Sequence, residues 1–287
     1  MTAYLIYKMG EFLAIHLPLR LAYKIAIIIS DLHSLFTPKD RINIYANLKK
    51  IFPNKSDYEI VKIRRQIFIN FAKYLVDFFR FPLLNKQNIN KIADVVNLKF
   101  VDEALSFGKG AILVTAHLSN WELGGVMLAL MGYPIGAVVL PHLDKRVDNF
   151  FNSRRQMKGM VVMPLGKAAR DCLNLLHSNK LIALVGDRSF NSTELLVDFF
   201  GLPTYFPKGP AVFAFKTKAP VVPCFVLRNP DDRYRFIFEK PIWPHPKKTA
   251  ENDLVGFISE YRRVIEEYIK RYPEQWFMFR KFWAGAQ

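Results

Sequence analysis

A chain of 287 residues with 51% hydrophobic and 23% charged side chains is too apolar to be disordered. It is long enough to bury one large α/β core, alone or with a helical appendage. Its 41 Lys and Arg against 25 Asp and Glu give a formal charge of +16, which points to a partner built of phosphates or carboxylates: nucleic acid, an anionic membrane or an acidic carrier. Cys172 and Cys224 show no CxxC spacing, which excludes a disulfide framework and reads as two reduced thiols in a cytosol-facing protein.

Residues 1–90 hold 14 Lys and Arg against 6 Asp and Glu, in the same segment that carries the most apolar helical stretches. Residues 3–34 read as a helix, but Lys8, Glu11, His16, Pro18, Arg20 and Lys24 interrupt it. A membrane span needs about 20 apolar residues, so this stretch is expected to lie on a membrane. Signal-peptide logic also fails, because no basic start precedes an unbroken apolar run and a cleavage site. A basic helix over 40–52 carries Arg41, Lys49 and Lys50, and Pro53 ends it. A third helix spans 56–82: Ser56 and Glu59 form a capping-box signature, and Ile60, Ile63, Ile67, Phe71, Tyr74, Leu75 and Phe78 recur at helical spacing. Residues 1–90 are therefore expected to form a helical membrane-associating segment; basic plus amphipathic favours a membrane surface over nucleic acid.

From about residue 91 short apolar runs alternate with helices, the pattern of an α/β sheet with crossover connections. The expected strands are 110–116, 135–140, 160–164, 181–186, 220–226 and 234–239. Helices are expected at 120–131, 145–158, 167–178 and 208–217, and a long amphipathic one at 251–271. Residues 91–287 thus read as one α/β domain with a mixed, mostly parallel sheet flanked by helices.

The strand GAILVTA ends directly at His117, where catalytic groups gather in open α/β sheets. A helix starting at Ser119 or Asn120 would favour a neutral, proton-accepting imidazole there and would offer unpaired backbone N–H groups. His117 can then be a general base, with oxyanion donors near Asn120. Glu122 has two readings. It orients the other ring nitrogen of His117, or it turns back to the Ser119 N–H in a capping box of its own. Arg154, Arg155 and Arg188 offer guanidinium forks suited to phosphate, or form a solvated basic face. Lys208 and Gly209 sit at an expected helix start suited to an anion, and Asp187 ends a strand where it contacts substrate or pairs with Arg188. Phe78-Phe79, Phe150-Phe151 and Phe199-Phe200, with Trp121, line an acyl groove or fill core. His16, His33, His142, His177 and His245 are scattered without metal-ligand spacing, and no GxSxG, HExxH, Walker loop or GxGxxG is present.

HLSNWE, followed by FFGLPTYFPKGPAVFAFKTKAPVVPCFVLR and YPEQWFMFRKFW, resembles the lipid A late acyltransferase family of the lysophospholipid acyltransferase superfamily. The similarity covers nearly the whole chain, from RINIYANLKKIFP and KYLVDFFR onward. The resemblance implies a glycerol-3-phosphate-acyltransferase-like fold and direct acyl transfer, without metal, cofactor or acyl-enzyme. The donor would be acyl carrier protein or acyl-CoA, and the acceptor an anionic glycolipid, foremost a lipid A precursor. It implies a place at the cytoplasmic face of the inner membrane, peripheral or monotopic. It matches His117 and Glu122 to the family's catalytic pair, Arg154 to a functional arginine and Asp187 to an acidic residue. Many relatives carry Gly where this chain has Ser119. The competing class is a non-catalytic binder of anionic lipid or nucleic acid on the same fold.

Overall fold

The computed structural model describes residues 2–189, 194–245 and 251–283. It opens with four helices: α1 (Thr2–His16), α2 (Leu19–Phe36), α3 (Pro38–Ile51) and α4 (Asp57–Phe79). The single helix expected over 3–34 is two, because Pro18 has no N–H to donate and its ring obstructs the preceding turn. The α4 start forms as expected: Ser56 Oγ accepts the Glu59 N–H at 3.3 Å, and the Glu59 carboxylate accepts the Ser56 N–H at 2.9 Å. Its end comes before Pro82, which disfavours helical backbone at the residue preceding it.

The α/β part runs β1 (Ala93–Val96), α5 (Lys99–Ser106), β2 (Ala111–Thr115), α6 (Trp121–Leu130), β3 (Ile135–Val139), α7 (Lys145–Gln156), β4 (Val161–Pro164), α8 (Ala168–His177) and β5 (Leu181–Val185). There follow β6 (Leu195–Phe199), β7 (Leu202–Phe206), α9 (Gly209–Thr217), β8 (Val221–Arg228), β9 (Tyr234–Phe238) and α10 (Glu251–Arg271). Seven strands form one sheet in the order β1-β9-β8-β2-β5-β3-β4, parallel throughout except where β8 and β9 pair antiparallel. This is the mixed, mostly parallel sheet flanked by helices that the alternation predicts. The β6–β7 hairpin stands apart from it.

Central strands are apolar on both sides because helices cover both faces. Along β2, Ala111 and Leu113 enter a core shared with α6, α7 and the N-terminal helices, while Ile112 and Val114 enter one shared with α8, α9 and α10. Ala14, Ala22, Tyr23 and Phe78 belong to the first core, so α1, α2 and α4 share one hydrophobic core with that face of the sheet. Each fully buried side chain such as Phe78 contributes about 1.5–3 kcal/mol. Among the described residues no helix is long and apolar enough to cross a membrane.

Candidate active site

His117 stands two residues beyond β2, and Asp187 stands two beyond its neighbour β5. These strands run parallel with Thr115 opposite Val185, so equal extensions bring the two side chains together. His117 Nδ1 lies 2.6 Å from Asp187 Oδ1. Gly186 permits the approach, since a Cβ there would sit 2.9 Å from Val114 Cγ1.

Asp187 is fully buried and receives two further hydrogen bonds, from the His117 N–H at 3.1 Å and from Trp276 Nε1 at 3.0 Å. Burial opposes its ionisation, but the imidazole, the Arg188 charge and the indole N–H outweigh it, and the carboxyl falls to about 2. An ionised carboxylate only accepts, so Nδ1 carries the proton and Nε2 is left as the base. Burial lowers the pKa of His117 against the raising influence of Asp187, which keeps the imidazole neutral.

The C-terminal segment fixes this loop from outside the sheet. The Phe277 N–H donates to the His117 carbonyl at 2.8 Å, and the Ser119 N–H donates to the Gln275 carbonyl at 2.7 Å. Ser119 adopts φ +53°, a left-handed conformation that glycine takes without strain, and its Oγ accepts the Arg228 N–H at 3.2 Å. That geometry gives a physical reason for glycine at this position and removes Ser119 from helix capping. The cap of α6 is Asn120, whose Oδ1 accepts the Leu123 N–H at 3.1 Å.

Glu122 turns neither to Ser119 nor to His117. Its carboxylate takes both forks of Arg155, at 2.8 Å from Nε and 2.5 Å from Nη2, and both side chains are largely buried. The orienting role expected of Glu122 at the imidazole is occupied by Asp187, for which the sequence suggested substrate contact or a pairing with Arg188. Asn120 is likewise corrected: it is wholly buried, its Nδ2 donates to Tyr234 Oη, and its N–H is spent on the Val226 carbonyl. Its polar groups are thus engaged within the protein, and its own N–H is not among the oxyanion donors near it. Tyr234 in turn reaches Asp77 of α4, which pairs with Arg228, so this network ties the start of α6 to the N-terminal helices.

A cavity of about 760 Å³ gathers His117, Glu122, Arg155, Arg188 and Gly209 around one space. Tyr74, Trp121 and Phe277 wall it with aromatic surface, and the Trp121 ring meets the imidazole edge to face at 4.9 Å. Arg154 is directed elsewhere: it binds Glu11 of α1 and covers the Phe150 ring. Lys208 precedes α9 and does not line the cavity; neither do Phe78 of α4 and Phe150 of α7, which are core. His142, read from the sequence as structural or surface, lines the cavity and stacks on Phe151. Gln275 and Trp276 carry no recognisable chemistry in the sequence; their part follows from where the C-terminal strand-like segment docks.

Among the described residues no cluster of His, Cys, Asp or Glu is placed to hold a metal ion. Burial pushes the Cys172 thiol up to about 11 and the Cys224 thiol up to about 12, so neither supplies a thiolate at neutral pH.

A family described as bacterial lipid A biosynthesis acyltransferase matches residues 1–284. A phosphatidylinositol mannoside acyltransferase of Mycobacterium tuberculosis is 30% identical over 75% of this chain and 68% of its own length. Its counterpart in Mycolicibacterium smegmatis is 26% identical over 75% and 70%. A lipid A biosynthesis acyltransferase of Haemophilus influenzae is 23% identical over 83% and 74%.

Proposed function

The chain belongs to the bacterial lipid A biosynthesis acyltransferase family, and from that premise we propose that it moves a fatty acyl group from acyl carrier protein, or from acyl-CoA, onto a hydroxyl of an anionic membrane glycolipid. A lipid A precursor is the first acceptor to test and a phosphatidylinositol mannoside the second, since relatives bear both names. The observation that carries the mechanism is the 2.6 Å contact of a buried, ionised Asp187 with Nδ1 of His117, which itself lines a cavity of about 760 Å³.

In this reading the acceptor oxygen attacks the thioester carbonyl as His117 Nε2 removes its proton. Asp187 holds the tautomer and balances the imidazolium that forms. The tetrahedral oxyanion lies near the first N–H groups of α6, at Trp121 and Glu122, and the Arg188 guanidinium adds positive charge from the cavity wall. Collapse breaks the carbon–sulfur bond, and the imidazolium returns its proton to the departing thiolate. Arg155 binds an acceptor phosphate, with Glu122 fixing its fork.

A place on the cytoplasmic face of an inner membrane, peripheral or monotopic, is part of the proposal. It is supported by one exposed apolar stripe at helical spacing on α1 (Leu5, Met9, Phe12) and another on α2 (Leu21, Ile28, Leu32, Leu35).

The test is purified protein with acyl carrier thioesters and extracted lipids, read by mass spectrometry. One lipid class should gain the mass of one acyl chain, and His117→Ala should abolish the gain. The proposal fails if no lipid gains a chain, or if His117→Ala keeps the full rate.

A further inference from the structure

A second cavity, of about 570 Å³, lies between α1, α2 and α4, outside the catalytic space but against its wall. Tyr7, Phe71, Leu75 and Phe279 line both. Its size falls in the range of small-molecule sites, about 300–1,000 Å³, and its surface is almost wholly apolar. The Ser30 hydroxyl at its edge is spent on the Phe68 carbonyl at 2.9 Å. Ile6, Leu13 and Ile29 line the cavity and are themselves 57%, 38% and 58% exposed, so its mouth merges with the apolar stripes of α1 and α2. Apolar surface left open to water in this way is favourably covered only by another apolar body.

The position of the mouth selects the occupant: it lies on the face with the exposed apolar stripes, whereas the inner wall is shared with the space around His117. Building on the function proposed above, we infer that this cavity holds a hydrocarbon chain which the acceptor lipid already carries. The chain enters from the bilayer and suspends the free hydroxyl on the catalytic side of Phe71 and Leu75. The cavity would thus measure the acceptor, not the donor.

The full chain is tested on vesicles of phosphatidylglycerol and phosphatidylethanolamine containing a phospholipid with a chain-terminal diazirine, with peptide mapping after irradiation. Labels are expected within Gly10–Leu17, Ile25–Ile29 and Phe71–Val76. Labels confined to the exposed Leu5, Met9 and Leu32 would overturn the inference. So would labelling of the internal peptides only by a diazirine acyl chain delivered on acyl carrier protein. This measurement needs no turnover, so it stands even where acyl transfer to a particular lipid fails. In the transfer assay, Ala26→Trp and Ala72→Trp, tested separately, should raise KM for an acylated acceptor about tenfold while kcat with a chain-free alcohol acceptor stays as in the parent. A changed preference for donor chain length in either variant would overturn the inference.

Discussion

Asp187→Asn changes almost no volume and leaves the three donors around that side chain in place: His117 Nδ1, the His117 N–H and Trp276 Nε1. It removes the charge, and it offers an NH2 group where only acceptors stood. If the amide nitrogen faces Nδ1, the imidazole must accept there, which moves its proton to Nε2 and removes the base from the reacting side. A general base supplies about 10²–10⁴ in rate, and a misplaced tautomer in a His–carboxylate pair has cost about 10⁴. The expected fall in kcat for transfer from an acyl carrier thioester is therefore about 10²–10⁴. A purely structural role would not change the pH profile, but this variant should. Asp187 raises the pKa of His117, so without it the acid limb moves to lower pH. Nitrogen-15 spectra should show the His117 proton transferred to Nε2. A variant that folds normally, keeps kcat within about threefold of the parent and keeps the acid limb in place would refute the assignment of Asp187 as the group that orients His117.

Because the base acts as the neutral imidazole and burial lowers its pKa, the parent enzyme's kcat/KM should stay flat on acidification past the ordinary histidine value of about 6.5 and decline only below it. Initial rates at low donor concentration across pH check this. Glu122→Gln leaves the Arg155 guanidinium buried without its bidentate partner, and removing one member of such a pair costs about 3–5 kcal/mol of stability, measurable by denaturant unfolding. At Ser119, glycine relieves a left-handed conformation that costs about 1–2 kcal/mol and forfeits one hydrogen bond of about 1 kcal/mol, so Ser119→Gly should unfold within about 1 kcal/mol of the parent. Ser119→Val, β-branched at positive φ, should be clearly destabilised in the same experiment.

Much of this architecture is legible in the sequence because its signals are strong and local. Six strands of the main sheet and the helices between them follow from apolar runs set against helical periodicity, and the α4 start follows from Ser56 and Glu59. The elements not foreseen are those whose support is tertiary. β1 is a four-residue edge strand, and α5 is only two turns long. The β6–β7 hairpin turns through Phe200 and Gly201, both at positive φ, and no turn signature announces a phenylalanine there; Pro203 further hides the second strand. His117 is marked in sequence by its position at a strand end. Asp187 is marked in the same way, but its pairing with His117 is not, because it lies 70 residues on and their meeting depends on β2 and β5 being neighbours in register. Glu122 is attractive because it is near in sequence and on the same motif, yet five residues span a loop and a helix start that turn it toward α7.

The two carboxylates near His117 differ in what their charge can still do. Glu122 meets Arg155 through two hydrogen bonds, so at the imidazole the pair acts as a dipole, whose field falls faster with distance than that of a lone charge. Asp187 has no such bidentate cation. Its oxygens are met by the imidazole, one backbone N–H and one indole N–H, and its negative charge lies against the ring that must become positive in the transition state. Burial strengthens that interaction and weakens screening by salt. It follows that neutralising Glu122 and Arg155 together, as Glu122→Gln with Arg155→Gln, should leave the acid limb of kcat/KM where it is while raising KM for a phosphorylated acceptor. An acid limb that moves in this double variant as it does in Asp187→Asn would mean that Glu122 acts on the imidazole directly, and the division of roles between the two carboxylates would be wrong.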